Sequence, residues 1–249
     1  MVLFPAALIG DTSLLSLGVL GLVAAFAAID DVSVGQTWFG QPLVIALITG
    51  FFCGDPLTGL AIGLPLQLVL AGNLPVGQTF TGDSGVALTA AVAAACLSGR
   101  VFVPDLEQVV FADLGLLGWI ILAAGILSAL GHPIIQAERK ANGLLMLKGH
   151  KTLRDGSLVR MEAIHVRCLA TTFGRGFVLV LLYLLLLMKL WLPAYAYLPD
   201  KIHQALGMLP LLLPGLGVGT MIDRYGLRTG WAWLLAGLLI MLALAALGV

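Results

Sequence analysis

Side chains able to grip a polar solute are concentrated in one apolar stretch of this chain. Residues 54–87, GDPLTGLAIGLPLQLVLAGNLPVGQTFTGDSGVA, carry Gln67, Asn73, Gln78, Thr79, Thr81, Asp83 and Ser84 among leucines, valines and glycines. Amides, hydroxyls and a carboxylate supply donors and acceptors in number, which is what a many-hydroxyl solute such as a sugar requires. Gln67, Asn73, Gln78, Thr79 and Asp83 are therefore the candidate substrate-binding residues. Two of these positions also have a plainer role open to them. Gln67 suits an interhelical hydrogen bond, and Asp83-Ser84 suits the N-cap of a following helix. Gly59 and Gly63 form a GxxxG pair that lets helices approach closely.

The elements that must hold these groups are set by composition. Of 249 residues, 60% are hydrophobic and 10% charged, a balance that excludes an ordinary soluble domain and reads as an integral membrane protein. The long apolar runs lack the period-two alternation of an outer-membrane barrel, so the expected fold is all-α, a polytopic helical bundle. The net charge is zero and basic residues are not interleaved with aromatics, which leaves no case for a nucleic-acid partner. Cys53, Cys96 and Cys168 show no CxxC spacing, so neither a disulfide nor a metal is implied, and no cofactor is expected. The amino terminus lacks a basic start and a small-residue cleavage site, and a retained first span is expected.

Taken in order, residues 12–29 are a span of bilayer length that ends at Asp30-Asp31, either a mouth for solute or a solvated helix end. Residues 42–52 are too short to span and feed the 54–87 segment, in which Gly59, Gly63, Pro65, Gly72, Pro75 and Gly77 argue for broken or re-entrant helix. Residues 85–97, rich in Ala and Val, suit close packing. Residues 100–113 read as a polar connector, and 114–130 as a span ending at Gly131-His132-Pro133, with His132 a boundary residue. The connector 136–175 holds eight of the thirteen basic residues, which the positive-inside rule places in the cytoplasm, part of it as an interfacial helix. Residues 177–192 form a span, 202–218 a second broken helix around Pro210 and Pro214, and 231–247 the last span. Two interrupted segments in one chain suggest a possible inverted repeat of the kind that builds transporter sites. The whole chain, 1–249, reads as one membrane domain.

At GDPLTGLAIGLPLQLVLAGNLPVG the sequence resembles the IIC subunit of the mannose/fructose/sorbose family of the bacterial phosphotransferase system. Asp55, Gly59, Gly63, Gly72, Gly77 and Asp83 fall on that family's pattern. Asp30-Asp31 with Gln41-Pro42-Leu43, Ile164-His165-Val166 with Arg175, and Gly217–Met221 are further matches. On that ground His165 joins the candidate substrate-binding residues. The chain departs from the pattern where the family often has a Glu at Gln67 and an Arg at Gln41, and where its Asn lies nearer Pro75 than Asn73 does.

The resemblance implies a sugar permease subunit in the bacterial cytoplasmic (inner) membrane. It implies pairing with a membrane IID subunit, phosphorylation of the sugar by a separate soluble IIB phosphocarrier, and oligomers in the membrane. It implies no phosphoryl-transfer residues of its own, and the sequence indeed has no Walker-type loop. A different class, a non-transporting sugar sensor or scaffold that recruits phosphocarriers through the basic connector, is motivated by Gln67 in place of an acid.

Overall fold

The structure, a computed structural model, describes residues 13–35, 37–70, 82–99, 102–104, 109–111, 113–154 and 158–246. Helix α1 (Leu14–Val32) starts at Ser13, whose hydroxyl accepts from Ser16 N at 3.3 Å. Helices α2 (Pro42–Cys53) and α3 (Pro56–Leu70) form a tight hairpin turned by Gly54, which holds a left-handed φ of 77°. At 1.5 Å per residue they reach about 18 and 22 Å, short of a hydrocarbon core of about 30 Å. Backbone touches backbone along the hairpin: a Cβ on Gly59 would meet the Ala46 carbonyl carbon at 3.0 Å and Gly50 Cα at 3.4 Å. Gly59→Val is accordingly expected to overpack the hairpin and destabilise the protein by about 1–3 kcal/mol, read as a lowered midpoint of thermal unfolding in detergent.

Helix α4 (Ser84–Ser98) is the axis of the bundle. Every residue from Gly85 to Ala95 is buried, and α1, α2 and α3 pack around it. Its alanines present almost no side chain, so the neighbours close on its backbone and gain dispersion contact that lipid would otherwise provide. Leu20, Ile45, Ile62, Leu88, Leu117 and Ile120 belong to the same buried cluster. An antiparallel ribbon of β1 (Phe102–Pro104) and β2 (Val109–Phe111) follows, with Phe102 opposite Phe111, where the sequence led us to expect a plain connector.

Helix α5 (Leu114–Arg154) begins under Asp113, which accepts from Leu116 N at 2.9 Å. It does not stop at Gly131-His132-Pro133 as expected. Pro133 withdraws the donor that would serve Ala129 O, and the two carbonyls just before it accept from other parts of the fold. Ser128 O accepts from Asp83 N at 2.9 Å, and Leu127 O from the Tyr183 hydroxyl at 3.1 Å. The 136–175 connector is consequently mostly helix, made of the end of α5 and the start of α6 (Leu158–Leu186). A Cβ on Gly176 would lie 2.9 Å from Ala24 O, so α6 and α1 also meet backbone to backbone.

Helix α6 passes through a π turn, Leu187–Trp191, into α7 (Leu192–Tyr195). There Trp191 stacks on Trp119 with centroids 4.1 Å apart, and each indole N–H donates to the other residue's carbonyl, at 2.8 and 3.0 Å. Helix α8 (Asp200–Tyr225) runs unbroken through Pro210 and Pro214, against the expectation of a broken helix. The carbonyl that Pro210 deprives of its usual donor, Leu206 O, lies against Gly118 of α5, where the missing side chain makes room for it. Helix α9 (Leu227–Ala246) closes the described chain. Among the described residues four stretches are long and apolar enough to cross a membrane, Leu14–Val32, Leu114–His150, Met161–Tyr195 and Asp200–Asp223. The chain is an all-α polytopic membrane protein but for the small ribbon.

Candidate functional site

The charged groups that the fold buries meet where the start of α4 crosses α5 and α6. Asp83 occupies the N-cap position of α4, yet its carboxylate makes no capping bond. It turns instead to Arg175 of α6, whose Nη1 donates to Asp83 Oδ2 and whose Nε donates to Glu138 Oε2 of α5. The three side chains are 1%, 7% and 8% exposed for Asp83, Arg175 and Glu138. Glu138 Oε1 also accepts from the Thr172 hydroxyl, which in turn accepts from Ser33 Oγ at 3.0 Å. The cluster therefore ties α1, α4, α5 and α6 together. Helix packing fixes it closely. Gly131 presents its bare Cα to Asp83, and a Cβ there would lie 3.4 Å from Asp83 N.

Two buried nitrogens at this level have no hydrogen-bond partner among the described residues, Arg175 Nη2 and His132 Nδ1. Ionised groups at membrane depth are expensive, and those retained commonly mark a path or site for a polar solute. An unused guanidinium N–H is a donor waiting for an acceptor.

The acid pair at the end of α1 splits between two jobs. Asp30 is buried and folds the following turn, its Oδ1 accepting from Thr37 N at 2.8 Å and Thr37 Oγ1 at 2.7 Å and its Oδ2 from Gly40 N at 3.2 Å. This is not the solvated helix end considered from sequence. Asp31 lies between Gly40 and Gly85, and a Cβ on Gly85 would be 3.3 Å from Asp31 Oδ2. It therefore stands close to the start of α4 and within electrostatic range of Asp83 and Arg175.

Gln67 sits apart from this cluster. Its Oε1 accepts from Leu43 N at 3.1 Å, at the exposed N–H end of α2, and its Nε2 donates to Gln41 Oε1 at 3.2 Å. Asn73, Gln78 and Thr79 lie outside the described residues. Leu70 and Gly82 bracket them, and Gly82 packs on Ser128, where a Cβ would meet the carbonyl oxygen at 2.8 Å. His165 is exposed on α6, ten residues before Arg175. That is about 15 Å along the helix, and the structure does not bring it to the cluster. No three His, Cys, Asp or Glu side chains among the described residues converge as metal ligands.

Glu138, Thr172 and Ser33 were not singled out from sequence. The available signal was periodicity: Gly131, Ile135 and Glu138 follow one another at helical spacing, on a face that only a helix continued past Pro133 would possess. Arg175 stood among the motif matches but without an assigned partner.

A solved structure described as "Structure of membrane protein" superposes with a TM-score of 0.72 over 96% of this chain and 93% of that one, at 18% identity, which is a likeness of fold. No curated protein matches the chain significantly. A family profile described as "PTS system sorbose-specific iic component" matches residues 14–248, nearly the full length. With that coverage, and with an all-α membrane bundle beneath it, the chain belongs to the sorbose-specific IIC component family of the phosphotransferase system, whose members are sugar-transport permease subunits.

Proposed function

We propose that this subunit carries a hexose-like sugar inward across the bacterial cytoplasmic membrane, for phosphorylation by a separate soluble IIB protein, and that it works beside a IID membrane subunit in a larger oligomer. The observation that carries this reading is the buried Asp83–Arg175–Glu138 cluster, whose Arg175 Nη2 has no partner among the described residues. Asp83 is the substrate-facing carboxylate in this reading, and Asn73, Gln78 and Thr79, in the segment just before it, supply further polar contacts. Gln67, engaged at the start of α2, and His165, exposed on α6, would meet the solute elsewhere along its path in this reading. The basic stretch 136–175, apart from Glu138 and Arg175 in the buried cluster, faces the cytoplasm in this reading. The subunit adds no phosphoryl-transfer chemistry of its own.

The sensor or scaffold reading rests on an amide standing where the family often has an acid. That amide is engaged at the start of α2, where either residue type can accept from a helix N–H, so its presence does not argue against transport. Sugar uptake by membrane vesicles containing this chain and its IID partner tests the proposal. Uptake that depends on phosphorylated IIB and delivers sugar phosphate is the expected result. Specific sugar binding with no phosphorylated product would replace transport by sensing.

A further inference from the structure

We infer that Cys53 and Cys96 form a dithiol site on the outer side of the membrane, which a soluble disulfide oxidises to an internal bond that pins the α2–α3 hairpin to the end of α4. The inference goes beyond the transport reading and takes from it only the side that each end of the bundle faces. The two cysteines are far apart in sequence, and packing brings them together. Helices α2 and α4 lie against each other and start side by side, since a Cβ on Gly85 would be 3.4 Å from Gly40 O, just ahead of α2. At 1.5 Å per residue they then carry Cys53 about 17 Å beyond Pro42 and Cys96 about 17 Å beyond Gly85. The two residues therefore stand at one level. Cys53 continues the buried face of α2 after Ala46 and Thr49, and both cysteines pack against the core. The Cys96 thiol meets that of Cys53 as a hydrogen-bond partner.

Position makes the pair reachable. Cys53 ends α2 and is followed by Gly54 and by Asp55, which accepts from Thr58 N at 3.0 Å, while Cys96 lies just before Ser98 and Gly99 at the end of α4. Both thiols are free and half-buried. Ser98 lines one cavity with Leu116 and Tyr195, so this end of α4 lies beside the start of α5 and beside α7, away from the basic stretch. With that stretch in the cytoplasm the pair faces the outer compartment, where disulfides persist. The chemistry is thiol–disulfide exchange. Cys53 Sγ, having lost its proton to water, attacks one sulfur of the soluble disulfide and expels the other as a thiolate. Cys96 Sγ, likewise deprotonated, attacks Cys53 Sγ and expels the second thiolate, and the protons released return to the two leaving thiolates. Two protein thiols are oxidised and one disulfide is reduced to two thiols. The ring so closed contains the polar stretch from Gln67 to Asp83, and the hairpin tip and the end of α4 can no longer part.

Right-side-out membrane vesicles carrying this chain and its IID partner test the inference, with oxidised glutathione outside, then alkylation and peptide mass mapping. Of this chain's three thiols, only Cys168, among the basic residues of α6, should remain open to alkylation, with Cys53 and Cys96 recovered in one cross-linked peptide. The purified complex, once oxidised, should unfold about 5–10 °C higher than when reduced, and dithiothreitol should remove the gain. Cys53→Ser and Cys96→Ser should each abolish the gain, and Cys168→Ser should leave it. The cross-linked peptide is read on the parent chain and does not depend on the variants folding. Three thiols that all stay reactive in the purified complex, or glutathione left on Cys53 with no internal bond, would overturn the inference. A bond that forms in the purified complex but not in right-side-out vesicles would overturn the outer placement. None of these outcomes measures sugar uptake, so the transport reading stands or falls separately.

Discussion

Arg175→Ala is expected to abolish sugar uptake and to destabilise the assembled protein by about 3–5 kcal/mol, the loss typical of stripping one partner from a buried ion pair. The reason lies in what it leaves behind. Asp83 and Glu138, 1% and 8% exposed, would face each other with no cation between them. Arg175→Lys should recover only part of the loss, because an ammonium is a point charge and cannot fork to both carboxylates as Nη1 and Nε do. Stability and function are separated by replacing the network rather than breaking it. In an Asp83→Leu, Glu138→Leu, Arg175→Met variant no charge remains unpaired, and thermal stability should return to within about 1–2 kcal/mol of the parent. Uptake should remain absent. A stable triple variant that still transports sugar would show the cluster to be scaffolding only.

That this cluster was only partly legible in the sequence has a physical cause. Asp83 stood out because a carboxylate in an apolar, glycine-rich stretch is conspicuous. Its partners did not, because Glu138 follows a His-Pro pair that reads as the end of a span. The contacts that hold α5 at this turn come from Asp83 N–H and the Tyr183 hydroxyl, about fifty residues away on either side of Ser128 and Leu127. Local sequence carries no record of such long-range satisfaction. The same holds for α8, whose passage through Pro210 depends on Leu206 O finding a bare glycine on α5. Where information is local the reading was closer. The all-α membrane class follows from composition alone. The burial of α4 follows from its run of small residues, which have nothing to offer lipid and much to offer close packing.

Gln41 and Gln67 should behave as a single unit when they are changed. They are the two positions at which the sequence resemblance leads one to expect Arg and Glu, and in the structure their side chains are hydrogen-bonded to each other, Gln67 Nε2 to Gln41 Oε1 at 3.2 Å. The two departures are thus one contact in this chain, an amide–amide hydrogen bond. Gln67 also holds the first turn of α2 through Leu43 N, and Gln41, at the N-cap position, makes no capping bond of its own. Gln67→Ala is therefore expected to lose a cap, about 0.5–2 kcal/mol. Gln67→Glu keeps an acceptor for Leu43 N but gives up the donor that Gln41 uses. Gln41→Arg adds a cation beside the positive end of α2, where it is disfavoured without a carboxylate. Together the two restore a complementary pair. Thermal unfolding across the four-member cycle should show a favourable coupling of about 0.5–3 kcal/mol, with the double variant closer to the parent in uptake than Gln41→Arg alone. Simple additivity would mean that the two amides touch without depending on each other.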